Sequence, residues 1–150
     1  MVAIYVDADA CPVKDEVYKV AFRHQAPVTI VANSRIRIPD HPLVTRAIVS
    51  DGFDAADDWI AERAGPHCVV VTADILLADR CLKSGASVIA PNGRPFTMDS
   101  IGSAVAVRAI MADLRAGIEN TGGPAPFSNS DRSRFLSALH EMLEKIARRR

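Results

Sequence analysis

The chain has 150 residues, 49% of them hydrophobic, with a formal net charge of zero. That length suits one domain with a single core, and that apolar content excludes a disordered chain. No apolar run reaches the ~18 residues of a membrane span, and aspartates stand where a signal peptide would be apolar, so a cytoplasmic protein is expected. Three cysteines without CxxC spacing argue against a disulfide framework or a zinc ribbon. The charge is uneven: residues 1–80 hold 12 acids against 8 bases, residues 81–150 hold 6 against 10. An acidic half beside a basic half suits a cation site next to an anion-binding surface. Chance plus a basic C-terminal tail would give the same split.

Val2–Val6 reads as a short apolar strand, followed by a helix from about Val13 to His24 with Val13, Val17, Val20 and Ala21 near one face. Pro27–Asn33 is a second strand, apolar almost throughout, as in a parallel sheet covered on both faces. Ser34–Pro42 is a loop in which Arg35 and Arg37 alternate with Ile36 and Ile38. Leu43–Ser50 is a third strand placed near an edge, and Asp51–Gly52 a turn. "FDAADDWIAERAG" is a helix stopped at Gly65, with a core face near Ala56, Trp59, Ile60 and the stem of Arg63. His67–Asp74 is the clearest buried strand, a helix to about Ser84 follows, and Ala86–Gly93 is expected to be the last strand and turn. Met98–Ala116 reads as a long helix, and Asn120–Asp131 as irregular. A final helix capped by Ser130 or Asp131 runs to about Ala147, with Phe135, Leu139, Met142 and Ile146 on one face and Leu136 and Leu143 beside it. Alternating strands and helices predict a three-layer α/β/α domain with a mostly parallel sheet, the C-terminal Gly/Pro segment and helix (about 120–147) packed on it.

In open parallel sheets, sites form beyond the carboxyl ends of the strands. Asp7 and Asp9 lie at that end of the first strand, and Asp74 at that end of the buried "CVVVTAD" strand. Asp57 is expected at the flank of its helix facing the strand ends, Asp58 further round toward solvent, and Asp79 a little over one turn beyond Asp74. Each acid has a plainer role: Asp7 and Asp74 suit helix caps, Asp9 a turn before Pro12, Asp54 a helix start. Converging carboxylates repel and need a cation or raised pKa values to coexist. An oxygen-only set without histidine suits Mg²⁺ or Mn²⁺, and such ions suit phosphodiester hydrolysis. Lys14, Arg35, Arg37, Arg94 and Arg132 are the candidate contacts to a nucleic-acid backbone, and the four histidines look structural or solvated.

The segments "DADACPVK", "VAN", "DAADDWI", "VVTAD", "NGRPFT" and "GGPAPFSNSDRSRF" together resemble the bacterial YaiI/YqxD family across nearly the whole chain. That family looks related to PIN-like and NYN-type domains, many of which are metal-dependent ribonucleases. On that likeness Asp7, Asp57 and Asp74 match the family's acids, and Asp79 is a looser fourth. The resemblance implies a PIN-like fold and RNA as partner. Leu76 in "TADILLA" departs from the proline expected there, which a first helical turn tolerates. Two rivals remain. "AIYVDADAC" is also similar to the opening of haloacid-dehalogenase-type phosphatases, with Asp7 as nucleophile and Asp9 as acid/base; Cys11 stands where Thr or Val is expected, and no acidic pair follows Lys83. The other is a non-catalytic RNA- or protein-binding module.

Overall fold

The computed structural model describes residues 2–8, 11–50, 55–102 and 128–148. Five parallel strands and one antiparallel strand form a single sheet. In chain order the elements are β1 (Ala3–Asp7), α1 (Lys14–His24), β2 (Val28–Ala32), β3 (Val44–Ile48), α2 (Ala55–Arg63), β4 (Cys68–Val71), α3 (Ile75–Lys83), β5 (Ser87–Ile89) and β6 (Pro95–Phe96). Residues 98–102 are helical (α4), and α5 spans Asn129–Arg148. The sheet order is β3-β2-β1-β4-β5-β6. The predicted three-layer α/β/α architecture is therefore present.

The apolar runs become the central strands for the reason their composition suggests. All four residues of β4 are buried, as are four of the five in β2, because helices cover both faces. On one face α1 and α5 pack over Ile4, Val6, Val28, Ile30, Val69 and Val71. On the other, α2 and α3 cover Val31, Val70 and Val88. Strand β3 lies at the edge, as its mixed Thr45 and Arg46 led us to expect. The expectation that residues 86–93 hold the last strand is corrected: β6 follows and pairs antiparallel with β5, Val88 opposite Phe96. Only two residues long, it carries no periodic pattern. The turn between them makes it, with Gly93 N–H donating to the Ala90 carbonyl and Ala90 N–H to that of Arg94.

Helix α5 closes the first face. Its buried residues are Phe135, Leu139, Leu143 and Ile146. Met142, placed on the central stripe from sequence, is only partly buried, and Leu143 takes that position. Ser128 starts the helix with a capping box. Asp131 accepts from the backbone N–H and the hydroxyl of Ser128, and Asp131 N–H donates back to the Ser128 hydroxyl. Those bonds, the backbone one first, hold the Asp131 carboxyl below its usual range. The cap is thus Ser128 and not Ser130, with Asp131 as its reciprocal partner.

The β5–β6 turn touches the same helix. Gly93 has φ +89°, and a Cβ there would lie 2.7 Å from the carbonyl carbon of Arg134 and 2.8 Å from Phe135 N. Only glycine allows both that conformation and that approach. Of the long helix predicted over 98–116, the part beyond Gly102 lies outside the described residues, as do Asp9, Asp54, Phe127 and the 120–127 segment. No helix among the described residues is long and apolar enough to cross a membrane.

Candidate functional site

The chain reverses direction across the sheet at β1. From β1 it winds through α1 to β2 on one side, and later returns to β4 on the other. The helices that follow β1 and β4 pack on opposite faces, which opens a crevice beyond the carboxyl ends of those two neighbours. Asp7 ends β1, and Asp74 stands three residues past β4. The two acids expected to meet are delivered by adjacent strands to one edge.

Asp7 is 9% exposed, and its Oδ2 accepts a hydrogen bond of 3.0 Å from the hydroxyl of Thr72. Thr72 is itself 1% exposed, and its Oγ1 also accepts from Asp74 N–H at 3.0 Å. One threonine side chain therefore ties the ends of the two strands together. Sequence reading gave Thr72 no role. Its signal was the "T-x-D" spacing itself, but the hydrogen bond spans 65 positions and exists only once β1 and β4 pair.

Asp74 does both things weighed for it. It sits at the strand end, and it caps α3, its Oδ1 accepting from Leu76 N–H at 2.9 Å and Leu77 N–H at 3.2 Å. The cap is geometrically complete without a proline, so Leu76 at that turn changes nothing essential; its side chain is exposed instead.

The other acids spread out. Asp57 is half-buried in the first turn of α2, and its charge reaches the Cys81 thiol on α3. Burial first, then Asp57 and Cys68 push that thiol up to about 11, against Arg80. Asp58 is exposed as expected, and pairs with Arg80 at 2.9 Å. Asp79 pairs with Lys83 at 2.9 Å along α3. Among the described residues no three His, Cys, Asp or Glu side chains gather into a group able to hold a metal ion.

The β1–α1 loop that carries Asp7 into α1 is braced from two sides. Lys14 donates from Nζ to the Cys11 carbonyl at 3.1 Å. Arg132, from the first turn of α5, donates to the Pro12 carbonyl at 2.6 Å and meets Glu16 Oε1 at 3.4 Å. Two candidate phosphate contacts thus also serve as struts of this loop. Cys11 is buried beneath it, and burial pushes its thiol up. The Asp7 and Glu16 carboxylates add to that rise, while the Val13 backbone and Lys14 oppose it. A thiol so held stays protonated and is not a nucleophile near neutral pH. Arg35, Arg37 and Arg94 are exposed, and the alternation around them resolves simply: Ile36 and Ile38 pack against the core while the arginines face solvent.

His24 and His140 meet at the α1–α5 contact with Nε2 and Nδ1 2.7 Å apart, a pairing across 116 positions that no local sequence pattern shows, and burial lowers the pKa of His24.

Comparison with known proteins agrees with the motifs. The family model described as "Uncharacterized BCR, YaiI/YqxD family" matches residues 5–145. The chain belongs to the YaiI/YqxD family. Among relatives, a UPF0178 protein of Sphingopyxis alaskensis is 68% identical over 146 residues, covering 97% of this chain and 95% of that one. One from Rhodopseudomonas palustris is 65% identical over 147 residues, covering 98% and 93%. A third, from Bradyrhizobium sp., is 56% identical over 149 residues, covering 99% and 91%. The matches run the length of YaiI/YqxD chains and include both strand ends, and the relatives' names assign no activity.

Proposed function

We propose that the crevice between β1 and β4 is the active site of a divalent-cation-dependent phosphodiesterase acting on single-stranded RNA. The observation that carries the reading is the carboxylate of Asp7, buried at the sheet's switch point, held by Thr72 and next to the Asp74 strand end. Burying a carboxylate costs free energy unless hydrogen bonds or a cation compensate; Thr72 supplies one such bond, and a bound cation would add to it. The donors here are oxygens only, which fits Mg²⁺ or Mn²⁺. Asp7 and Asp74 would be the ligands of this proposal, with Asp9 as the third; Asp57 and Asp79, the other acids expected from sequence, would not be needed for it. Such an ion lowers the pKa of a bound water and draws charge from a phosphate.

The chain's own residues would do the rest. Thr72 fixes the carboxylate plane of Asp7 and the start of the turn to Asp74. Lys14 and Arg132 brace the chain at Cys11 and Pro12, where it enters α1, and exposed Arg35, Arg37 and Arg94 would offer cations to the backbone. The kinship with PIN-like domains favours RNA over DNA by analogy alone.

The test is cleavage of single-stranded RNA with Mn²⁺, native against Asp74→Asn. Asparagine caps helices about as well as aspartate, so this variant is expected to fold and melt as the native protein does. Its cleavage is expected to vanish. Equal cleavage by both proteins means a contaminating nuclease and hands the reading to the binding module. Hydrolysis of small phosphate esters alone, with an acyl-phosphate on Asp7, would mean a phosphatase instead.

A further inference from the structure

Helices α1 and α5 lie side by side on one face of the sheet and are tied at two points. Arg132 meets Glu16 at one, and His24 meets His140 at the other. Both ties span 116 positions, and they stand eight residues apart on each helix. The two helices therefore run parallel, with about 12 Å between the ties at ~1.5 Å per residue. Val17, Val20 and Ala21 of α1 and Phe135 and Leu139 of α5 fall between them, in one buried cluster. The first tie is an ion pair that keeps its charges across neutral pH. The second is made of histidines, the side chain that changes charge in the physiological range.

The geometry of the second tie limits how many protons it holds. His24 Nε2 and His140 Nδ1 are 2.7 Å apart, a hydrogen bond in which one nitrogen carries the hydrogen and the other is bare. Two nitrogens on one tetrahedral metal ion would stand about 3.3 Å apart, so the spacing is that of a shared hydrogen. The far nitrogen of His140, Nε2, lies 3.2 Å from Glu144 Oε1. With that nitrogen donating to Glu144, His140 Nδ1 is the bare one, and His24 Nε2–H donates to it. One added proton is accommodated at His24 Nδ1 and leaves both bonds in place. A second has only His140 Nδ1 to go to, where it faces the N–H of His24. Both rings are then cations and both facing nitrogens donors, so the contact opens. Burial opposes protonation of His24 most, His140 and Arg23 add to that, and Glu144 opposes them; the net effect is a lowered pKa, although His24 ends α1, where the helix dipole favours a cation.

We propose that the His24–His140 pair is a proton-sensitive clasp on the α1–α5 contact, closed with up to one added proton and opened by the second, so that acid loosens α5 from His140 onward. The turns loosened are those that carry Leu143 and Ile146, while the Arg132 tie keeps the helix start in place. Protons reach the pair from solvent, the His140 side chain being 34% exposed. The clasp is independent of what the crevice does. In the unfolded chain a histidine titrates near ~6.5, so as pH falls through that value the unfolded chain binds more protons than the folded one. The stability of the closed clasp is therefore present above that value and lost below it, by about tenfold in the folding equilibrium for each unit of depression.

The test is urea unfolding at about pH 7.5 and about pH 5.5, either side of the ordinary histidine value. Native protein is compared with His24→Gln and His140→Asn, which keep a polar atom near the bonding nitrogen and do not titrate. The native midpoint is expected to fall on acidification, and the drop to shrink by at least about half in each variant. Hydrogen exchange, corrected for its intrinsic pH dependence, is expected to quicken in acid for native α5 amides after His140 and not for those before Phe135. The ring resonances of the native protein read the pair even if a variant fails to fold: His24 is expected to titrate below the ordinary value. In His140→Asn it is expected to move back toward that value. No acid loss in the native protein, an equal loss in native and variants, or a native His24 that titrates at the ordinary value would overturn the clasp.

Discussion

Asp7→Asn is expected to fold like the native chain and to lose metal-dependent RNA cleavage by about 10³-fold. The fold should hold because asparagine has the same shape, and its side-chain carbonyl can still accept from Thr72, whose hydroxyl lies 3.0 Å from the aspartate oxygen. Asp7 is buried to 9% exposure, and asparagine fills the same space with no charge to desolvate. A melting temperature equal to or above native is therefore expected, the pattern of a residue kept for function at a cost in stability. The magnitude for activity follows from the several kcal/mol of transition-state charge stabilisation that a bound cation supplies, at about 1.4 kcal/mol per factor of ten. Rates on single-stranded RNA, together with thermal melts, read both halves. A variant that melts far below native would mean that Asp7 serves the fold instead.

Phe135→Ala is expected to destabilise the protein by about 3–5 kcal/mol. Phe135 is fully buried on α5, in the cluster it shares with β1, β2 and α1. It cannot relax toward the sheet turn, because the Arg134–Phe135 backbone already abuts Gly93. The cavity should therefore persist, which puts the cost at the upper part of the range. Against a typical domain stability of about 5–15 kcal/mol this is a large fraction. Urea denaturation should show a lower midpoint with an unchanged slope. A loss below about 1 kcal/mol would mean that α5 is not part of the cooperative unit. The consequence reaches the crevice, since Arg132 one turn earlier holds Pro12 and Glu16.

The central strands were legible because burial on both faces leaves continuous apolar runs, as in β2 and β4. The edge position of β3 was legible because Thr45 and Arg46 interrupt its pattern. Strand β6 was not, since two residues, one of them proline, carry no period. On α5 the stripe was read correctly but its centre was shifted. Met142 and Leu143 sit 100° apart on a helix, and only the way α5 lies on α1 decides which goes inward. At the crevice, Asp7 and Asp74 could be placed at strand ends from sequence. That β1 and β4 are neighbours is a fact of topology, and Thr72 and Arg132 act through contacts 65 and 120 positions away, beyond any local pattern. The meeting of His24 and His140 was hidden for the same reason.

The proposal that Asp7 and its neighbours hold a cation is tested most directly by calorimetric titration of the metal-free protein with Mn²⁺, native against Asp7→Asn. The expected result is saturable binding by the native protein, reversed by EDTA, and binding at least about tenfold weaker in the variant, as ligand-shell changes commonly give. No uptake of Mn²⁺ by the native protein, or equal uptake by both, would contradict it.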